Sequence, residues 1–147
     1  MTTSYDPAQV QISPEQWVAD QARKYEESGG TEGTDLMGSP CLLLDYRGRR
    51  SGTWRRTVLI YGRDGGDYLI VASKGGAPEH PAWYLSLQEH PEVHLRVGPE
   101  RFPALAETLS PDEKARVWPH LLDVYAPYED YQKKTDRDIP VVRLRRS

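Results

Sequence analysis

The run Arg47-Gly48-Arg49-Arg50-Ser51-Gly52-Thr53-Trp54-Arg55-Arg56 places five arginines in ten residues. Guanidinium groups packed that closely repel one another unless an anion lies among them, and their forks match phosphate and carboxylate oxygens. Gly48 and Gly52 let the backbone turn sharply and bring its N–H groups toward a ligand. An anion site is one reading of this segment, and a solvated hairpin tip is the other. A second segment has related chemistry. Val71-Ala72-Ser73 reads as the end of a strand and runs into Lys74-Gly75-Gly76-Ala77-Pro78, with a helix expected a few residues later. Strand, glycine turn, lysine and helix N-terminus together favour a phosphate, because unpaired N–H groups and the helix dipole both attract negative charge. The spacing is not that of a Walker A loop. Taken alone, most Lys-Gly-Gly turns are only turns.

Two aromatic groups could form walls. Trp83 and Leu87 lie four apart on the helix expected from Pro81 to Glu89, a spacing more typical of core, although an aromatic face beside two cationic turns suits a flat, phosphate-tailed cofactor. Tyr125, Tyr128 and Tyr131 recur every three residues. On a helical turn they share an edge, giving either three phenols above a pocket or three packing contacts. Other chemistry is disfavoured. Pro91 interrupts any helix joining His90 to His94, which argues against a zinc pair. Ser51 has no evident histidine partner and no nucleophile elbow is present. Glu26 and Glu27 read as a solvated helix face, and Cys41, the single cysteine, as a small buried hydrophobe.

The elements that must hold these residues are mostly strands. Cys41 to Leu44, Thr57 to Tyr61, Asp67 to Ala72, Val93 to Val97, Phe102 to Ala106 and Ile139 to Leu144 carry apolar runs or alternation, the signal of buried or half-buried strands. Arg63-Asp64-Gly65-Gly66 is a hairpin turn joining the second and third. Ser13-Pro14-Glu15-Gln16 reads as a capping box opening a helix on which Trp17, Gln21 and Tyr25 share a face, with Gly29-Gly30 as its stop. A connector is expected from Thr31 to Pro40. Ser110-Pro111-Asp112-Glu113 is a second capping box, whose helix should break at Pro119. Strand-to-strand hairpins without regular helix alternation predict a mainly β, α+β domain: an antiparallel barrel of about six strands with flanking helices.

The 147 residues suit one domain spanning 1–147, with 1–12 loosely ordered. A net charge of −3 offers no global field for nucleic acid or anionic lipid. No signal peptide or membrane-length apolar stretch is expected, so the chain reads as soluble and cytoplasmic. With nine Tyr, four Trp and a single Phe, the aromatics suit pocket walls with polar tips or an ordinary core.

Gly48-Arg49-Arg50-Ser51-Gly52 with Arg55, then Val71-Ala72-Ser73-Lys74-Gly75-Gly76-Ala77, then Pro81-Ala82-Trp83-Tyr84 resemble the deazaflavin-dependent nitroreductase family of actinobacteria. That family also includes quinone and aflatoxin reductases. The resemblance spans roughly Leu36 to Arg143, and the stretch from Trp17 to Gly38 is similar to a soluble branch of it. It implies a split β-barrel and coenzyme F-420, an 8-hydroxy-5-deazaflavin with a phosphodiester and polyglutamate tail. It further implies that Arg49, Arg50, Ser51 and Arg55, with Lys74, lie along the phosphate and acidic tail. Thr57, Val58, Ala72 and Ser73 would cradle the ring, and Gly52, Arg56, Gly75, Gly76, Ala77 and Trp83 would also belong to the cofactor site. Ser73, Tyr125, Tyr128 and Tyr131 would line the acceptor pocket, with Tyr128 or Ser73 serving the chemistry. The expected activity is hydride transfer to a small planar acceptor such as a quinone, enone lactone or nitroaromatic. The alternatives are an FMN-binding split-barrel oxidoreductase and a non-catalytic deazaflavin carrier. A homodimer remains open. One departure from the family is Val58-Leu59, where a Pro-Leu pair is common.

Overall fold

The computed structural model describes residues 5–147. Its strands are β1 (Gln11–Ile12), β2 (Asp35–Leu36), β3 (Ser39–Arg47), β4 (Trp54–Ile60), β5 (Gly62–Asp64), β6 (Asp67–Val71), β7 (Glu92–Val97), β8 (Glu100–Thr108) and β9 (Val141–Arg146). The helices are α1 (Gln16–Glu27), α2 (Ala82–Glu89), α3 (Pro111–Val124) and α4 (Tyr128–Lys134). Nine strands form one mixed sheet in the order β1-β4-β3-β7-β8-β9-β6-β5, with β2 beside β3. β1 runs parallel to β4, and the remaining pairs are antiparallel. The ladder does not close on itself, and the fold is α+β.

The apolar runs of β3 and β6 are continuous because each strand is buried on both faces. Leu42 and Leu44 of β3 enter the main core with Tyr68 and Ile70 of β6, Trp83 and Leu87 of α2, and Val93, Leu95, Phe102 and Val142. The opposite face of β3, Cys41 and Leu43, packs with Val58 under Val18, Ala22 and Tyr25 of α1. Leu69 and Val71, on the other face of β6, meet Val117, Leu121 and Tyr128 from α3 and α4. Helices therefore cover both outer faces of a sheet whose inner face holds the largest cluster. No helix among the described residues is long and apolar enough to cross a membrane.

Several expectations are corrected. There are nine strands rather than about six, and one pair is parallel. The expected order of residues 1–4 lies outside the described residues. Residues 7–12 are not loose, since Pro7–Gln9 makes a 3₁₀ turn and β1 pairs with Arg55 and Arg56 of β4. α1 begins at Gln16 without a side-chain cap, because the Ser13 hydroxyl instead accepts from the Glu15 N–H at 3.3 Å. Trp17 is 52% exposed; the buried face of α1 is one position further on, at Val18, Ala22 and Tyr25. Part of the expected connector is β2 and the start of β3. The Gly65-Gly66 hairpin joins β6 to the short β5, not to β4. Pro119 lies inside an uninterrupted α3; burial of Val117 and Leu121 on one side of it and a capped first turn outweigh the hydrogen bond it removes. That cap is as expected, with Ser110 Oγ accepting from the Glu113 N–H at 3.3 Å.

Candidate active site

A cleft of about 600 Å³ lies between β4, the segment following β6, and α4. Its first wall is a strand edge. β1 covers only Arg55 and Arg56 on the outer side of β4 and is tied off where Ser13 N–H donates to the Arg56 carbonyl at 3.0 Å. Thr57, Val58, Leu59 and Ile60 then line the cleft, with no strand paired to that side of them among the described residues. An open strand edge carries backbone donors and acceptors in alternation, which suits a flat heterocycle bearing N–H and C=O groups along its rim.

The second wall is the turn after β6. Lys74, Gly75 and Gly76 take positive φ values of 47, 63 and 84° in succession. Only glycine adopts this region freely, so Lys74 is held there by its surroundings. The Lys74 ammonium pairs with Glu79 at 3.1 Å, both groups being exposed. Ser73 and Gly75 line the cleft beside it, with Trp83 at the start of α2.

The third wall is aromatic. Tyr125 and Tyr128 meet edge to face with centroids 5.0 Å apart, and the Tyr125 and Tyr131 hydroxyls are 3.2 Å apart. That hydrogen bond and burial push the Tyr125 phenol up to about 12. Tyr128 is 5% exposed, and burial above all, then its two tyrosine neighbours, raises its phenol well above the ordinary range. Tyr125 and Tyr128 are therefore neutral donors near neutral pH. Neither the Tyr128 hydroxyl nor the Ser73 hydroxyl has a hydrogen-bond partner among the described residues, whereas Tyr125 also reaches Met37 Sδ at 3.4 Å.

The structure thus brings Arg55, Thr57, Val58, Ser73, Lys74, Gly75, Trp83, Tyr125, Tyr128 and Tyr131 to one cleft. Ala72, fully buried, belongs to the core behind it. Gly76 packs against α4, and Ala77 caps the turn through its N–H to the Lys74 carbonyl at 3.1 Å. Arg49, Arg50 and Ser51 are exposed on the turn between β3 and β4 and do not line the cleft, nor does Gly52. That turn docks on α2, the Arg49 N–H donating to Ser86 Oγ at 3.1 Å.

Arg56 is a correction. It is 4% exposed and faces away from the cleft, donating to Asp45 from Nε at 2.7 Å and Nη2 at 2.8 Å and lying 3.5 Å from Glu26. Alternation along β4 sends Arg55 and Arg56 to opposite faces. Glu26 is likewise no solvated carboxylate. Burial opposes its charge, but Arg96, Arg56 and Arg101 outweigh that and hold it below the usual range. Tyr5 closes this cluster, donating to Asp45 at 2.6 Å and stacking on His94 with centroids 3.6 Å apart.

Residues without a recognisable sequence signal also shape the site. Trp17 and Met37, 52% and 80% exposed, stand at its rim with Pro14 and Leu36. Arg137 grips the turn of the second wall from behind. A lone arginine between two elements carries no local pattern, so nothing in the sequence pointed to it.

The profile of the F420H(2)-dependent quinone reductase family matches residues 17–145. An F420H(2)-dependent quinone reductase of Mycobacterium tuberculosis is 43% identical over 126 residues, covering 83% of this chain and 85% of its own. A solved structure described as a domain-swapped dimer superposes with a TM-score of 0.70 at 37% identity, covering 90% of this chain and 99% of its own. Another, described as an F420-H2 dependent reductase, gives a TM-score of 0.67 at 38% identity over 71% of this chain and 93% of its own.

Proposed function

Because this chain belongs to the F420H(2)-dependent quinone reductase family, and is thereby a reductase dependent on coenzyme F-420, we propose that its cleft seats the deazaflavin ring along the free edge of β4 and a flat acceptor against the three tyrosines. The observation that carries this is the meeting, around one cavity, of an open strand edge, two hydroxyls unpartnered among the described residues and two cations. When bound, the coenzyme supplies a hydride, two electrons delivered together. The chain supplies the rest. Arg55 and Lys74 hold the phosphodiester end, and Arg49 and Arg50, on the exposed turn docked to α2, receive the acidic tail beyond the cleft. Thr57 to Ile60 orient the ring, Ser73 fixes its edge, and Trp83 closes the floor. Tyr128, neutral and without a hydrogen-bond partner among the described residues, donates a hydrogen bond to the acceptor oxygen that gains charge.

The acceptor is a quinone, enone lactone or nitroaromatic small enough to stack between the ring and the tyrosines. Leu59 of β4 and Ile70 of β6 come from opposite arms of the ladder yet pack into one cluster. That supports a split barrel, with the cleft in the gap between the two arms. The domain-swapped relative supports a homodimer, and the location we propose is the cytoplasm.

Titration of the purified chain with coenzyme F-420 and with FMN, followed by fluorescence, tests the cofactor. Tight binding of the deazaflavin and weak binding of FMN is expected; the reverse preference would overturn the reading. Anaerobic turnover with the three acceptor classes separates an enzyme from a carrier, since a carrier oxidises the reduced coenzyme no faster than background.

A further inference from the structure

Arg137, three residues beyond the end of α4, reaches back across the turn that follows β6. Its Nε donates to the Ala77 carbonyl at 2.8 Å, Nη2 to the Ser73 carbonyl at 2.8 Å and Nη1 to the Ala72 carbonyl at 3.2 Å. Nη1 also lies 3.0 Å from Nδ1 of His80, a ring that burial and then the guanidinium itself bias toward the neutral, accepting form. No carboxylate forms an ion pair with Arg137 among the described residues. A half-buried guanidinium is thus committed to three carbonyls and an imidazole. A planar fork can span such a set, whereas an ammonium cannot.

The segment it spans holds one strained residue. Lys74, Gly75 and Gly76 are left-handed in sequence; the two glycines adopt this region freely, but Lys74 stays there only because its surroundings over-determine it. The carbonyls held by Arg137 bracket those three residues on both sides. The same arginine sits on the connection between α4, which carries Tyr128 and Tyr131, and β9. It therefore ties the cationic wall of the cleft to the tyrosine wall.

We propose that Arg137 is a positioning residue that fixes Ser73 and Lys74 at a set spacing from Tyr128, so that coenzyme and acceptor are held at reacting distance. This rests on the reading that the cleft takes coenzyme F-420. Arg137 touches neither ligand and acts through the backbone of residues 72–77.

The test compares the wild-type chain with Arg137→Lys and Arg137→Ala. Amide hydrogen exchange is read at Gly76 and Ala77, whose N–H groups donate to Ser73 and Lys74 carbonyls. Affinity for coenzyme F-420 is read per folded molecule, as is hydride transfer to a water-soluble naphthoquinone at saturating coenzyme. In Arg137→Lys the two amides should exchange roughly tenfold faster and the transfer rate should fall on the order of a hundredfold, with the melting temperature nearly unchanged. Methylguanidinium should restore part of the rate in Arg137→Ala. A lowered melting temperature with wild-type affinity and rate per folded molecule would make Arg137 merely structural and overturn the proposal. So would unchanged exchange in the Lys variant. If wild type itself fails to bind the coenzyme, the cofactor reading fails, while the exchange data still decide whether Arg137 holds the turn. Should Arg137→Ala not fold, the exchange and rate of the Lys variant decide the matter.

Discussion

A Cβ built on Gly76 would lie 2.8 Å from the Tyr131 carbonyl oxygen and 3.0 Å from its Cα. The backbone after β6 and the backbone of α4 are therefore in direct contact, with no room for a side chain between them. That contact brings a cationic turn and a tyrosine helix to the same cleft. Gly76 also has φ 84°, so Gly76→Ala combines a strained backbone with a clash against atoms that cannot rotate away. We expect a loss of about 1–3 kcal/mol in stability and weaker coenzyme binding. Gly75→Ala, with φ 63° and open space around it, should cost only about 1 kcal/mol. Chemical denaturation of the two variants beside wild type checks the order.

Arg55 and Arg56 are neighbours with opposite roles. Arg56→Ala leaves Asp45, 1% exposed, without its main partner, and should destabilise the fold by roughly 3–5 kcal/mol. Coenzyme affinity of the molecules that remain folded should not change. Arg55→Ala should leave the melting temperature near wild type and weaken coenzyme binding about tenfold, a loss that shrinks as salt screens the cation. Thermal denaturation and fluorescence titration at two ionic strengths separate these outcomes.

This pair shows where the sequence was legible. Most of the strand pattern and the cap at Ser110 followed from periodicity and turn chemistry, because those signals are local, whereas the grouping of Ser73, Lys74 and the tyrosines was implied only by the family resemblance. Counting five arginines as one cationic turn ignored the two-residue alternation that buries Arg56 and exposes Arg55 to the cleft. The parity was there to be read once β4 was recognised as a strand. Asp45 and Glu26 were not legible as partners. Their pairing with Arg56 joins residues 11 and 30 positions apart, which only the tertiary fold brings together. The exposure of Trp17 had the same cause. Periodicity defines a helix face to within about one residue, and packing against β3 and β4 chose Val18, Ala22 and Tyr25 instead.

Tyr128→Phe removes one hydroxyl and keeps the ring packed in its cluster. Turnover should fall roughly tenfold to a hundredfold while coenzyme affinity stays close to wild type. Equal losses in both would assign Tyr128 to packing alone. Steady-state kinetics alongside direct coenzyme titration measure the two quantities.

The raised phenol of Tyr125, about 12 against an ordinary 10.0, sets a sign for the alkaline limb. Between pH 10 and 12 the unfolded chain has lost this proton and the folded chain keeps it. Its contribution to stability is therefore complete below pH 10 and declines as pH rises toward 12. Tyr131→Phe removes the hydroxyl that pairs with it, so the Tyr125 titration should move back toward 10. Ultraviolet absorbance of tyrosinate against pH follows both proteins, and an unmoved titration would mean that the hydroxyl pair is not its cause.

The central claim is that one cleft holds the deazaflavin against the open edge of β4 and an acceptor against Tyr128. Single-turnover mixing of the protein, loaded with reduced coenzyme F-420, with a soluble quinone tests it most directly, with Tyr128→Phe as the comparison because that change removes only the hydroxyl facing the acceptor. Rapid oxidation of bound coenzyme by wild type, and a slower one by Tyr128→Phe, is the predicted result. Oxidation of the coenzyme by wild type no faster than in free solution would contradict the account.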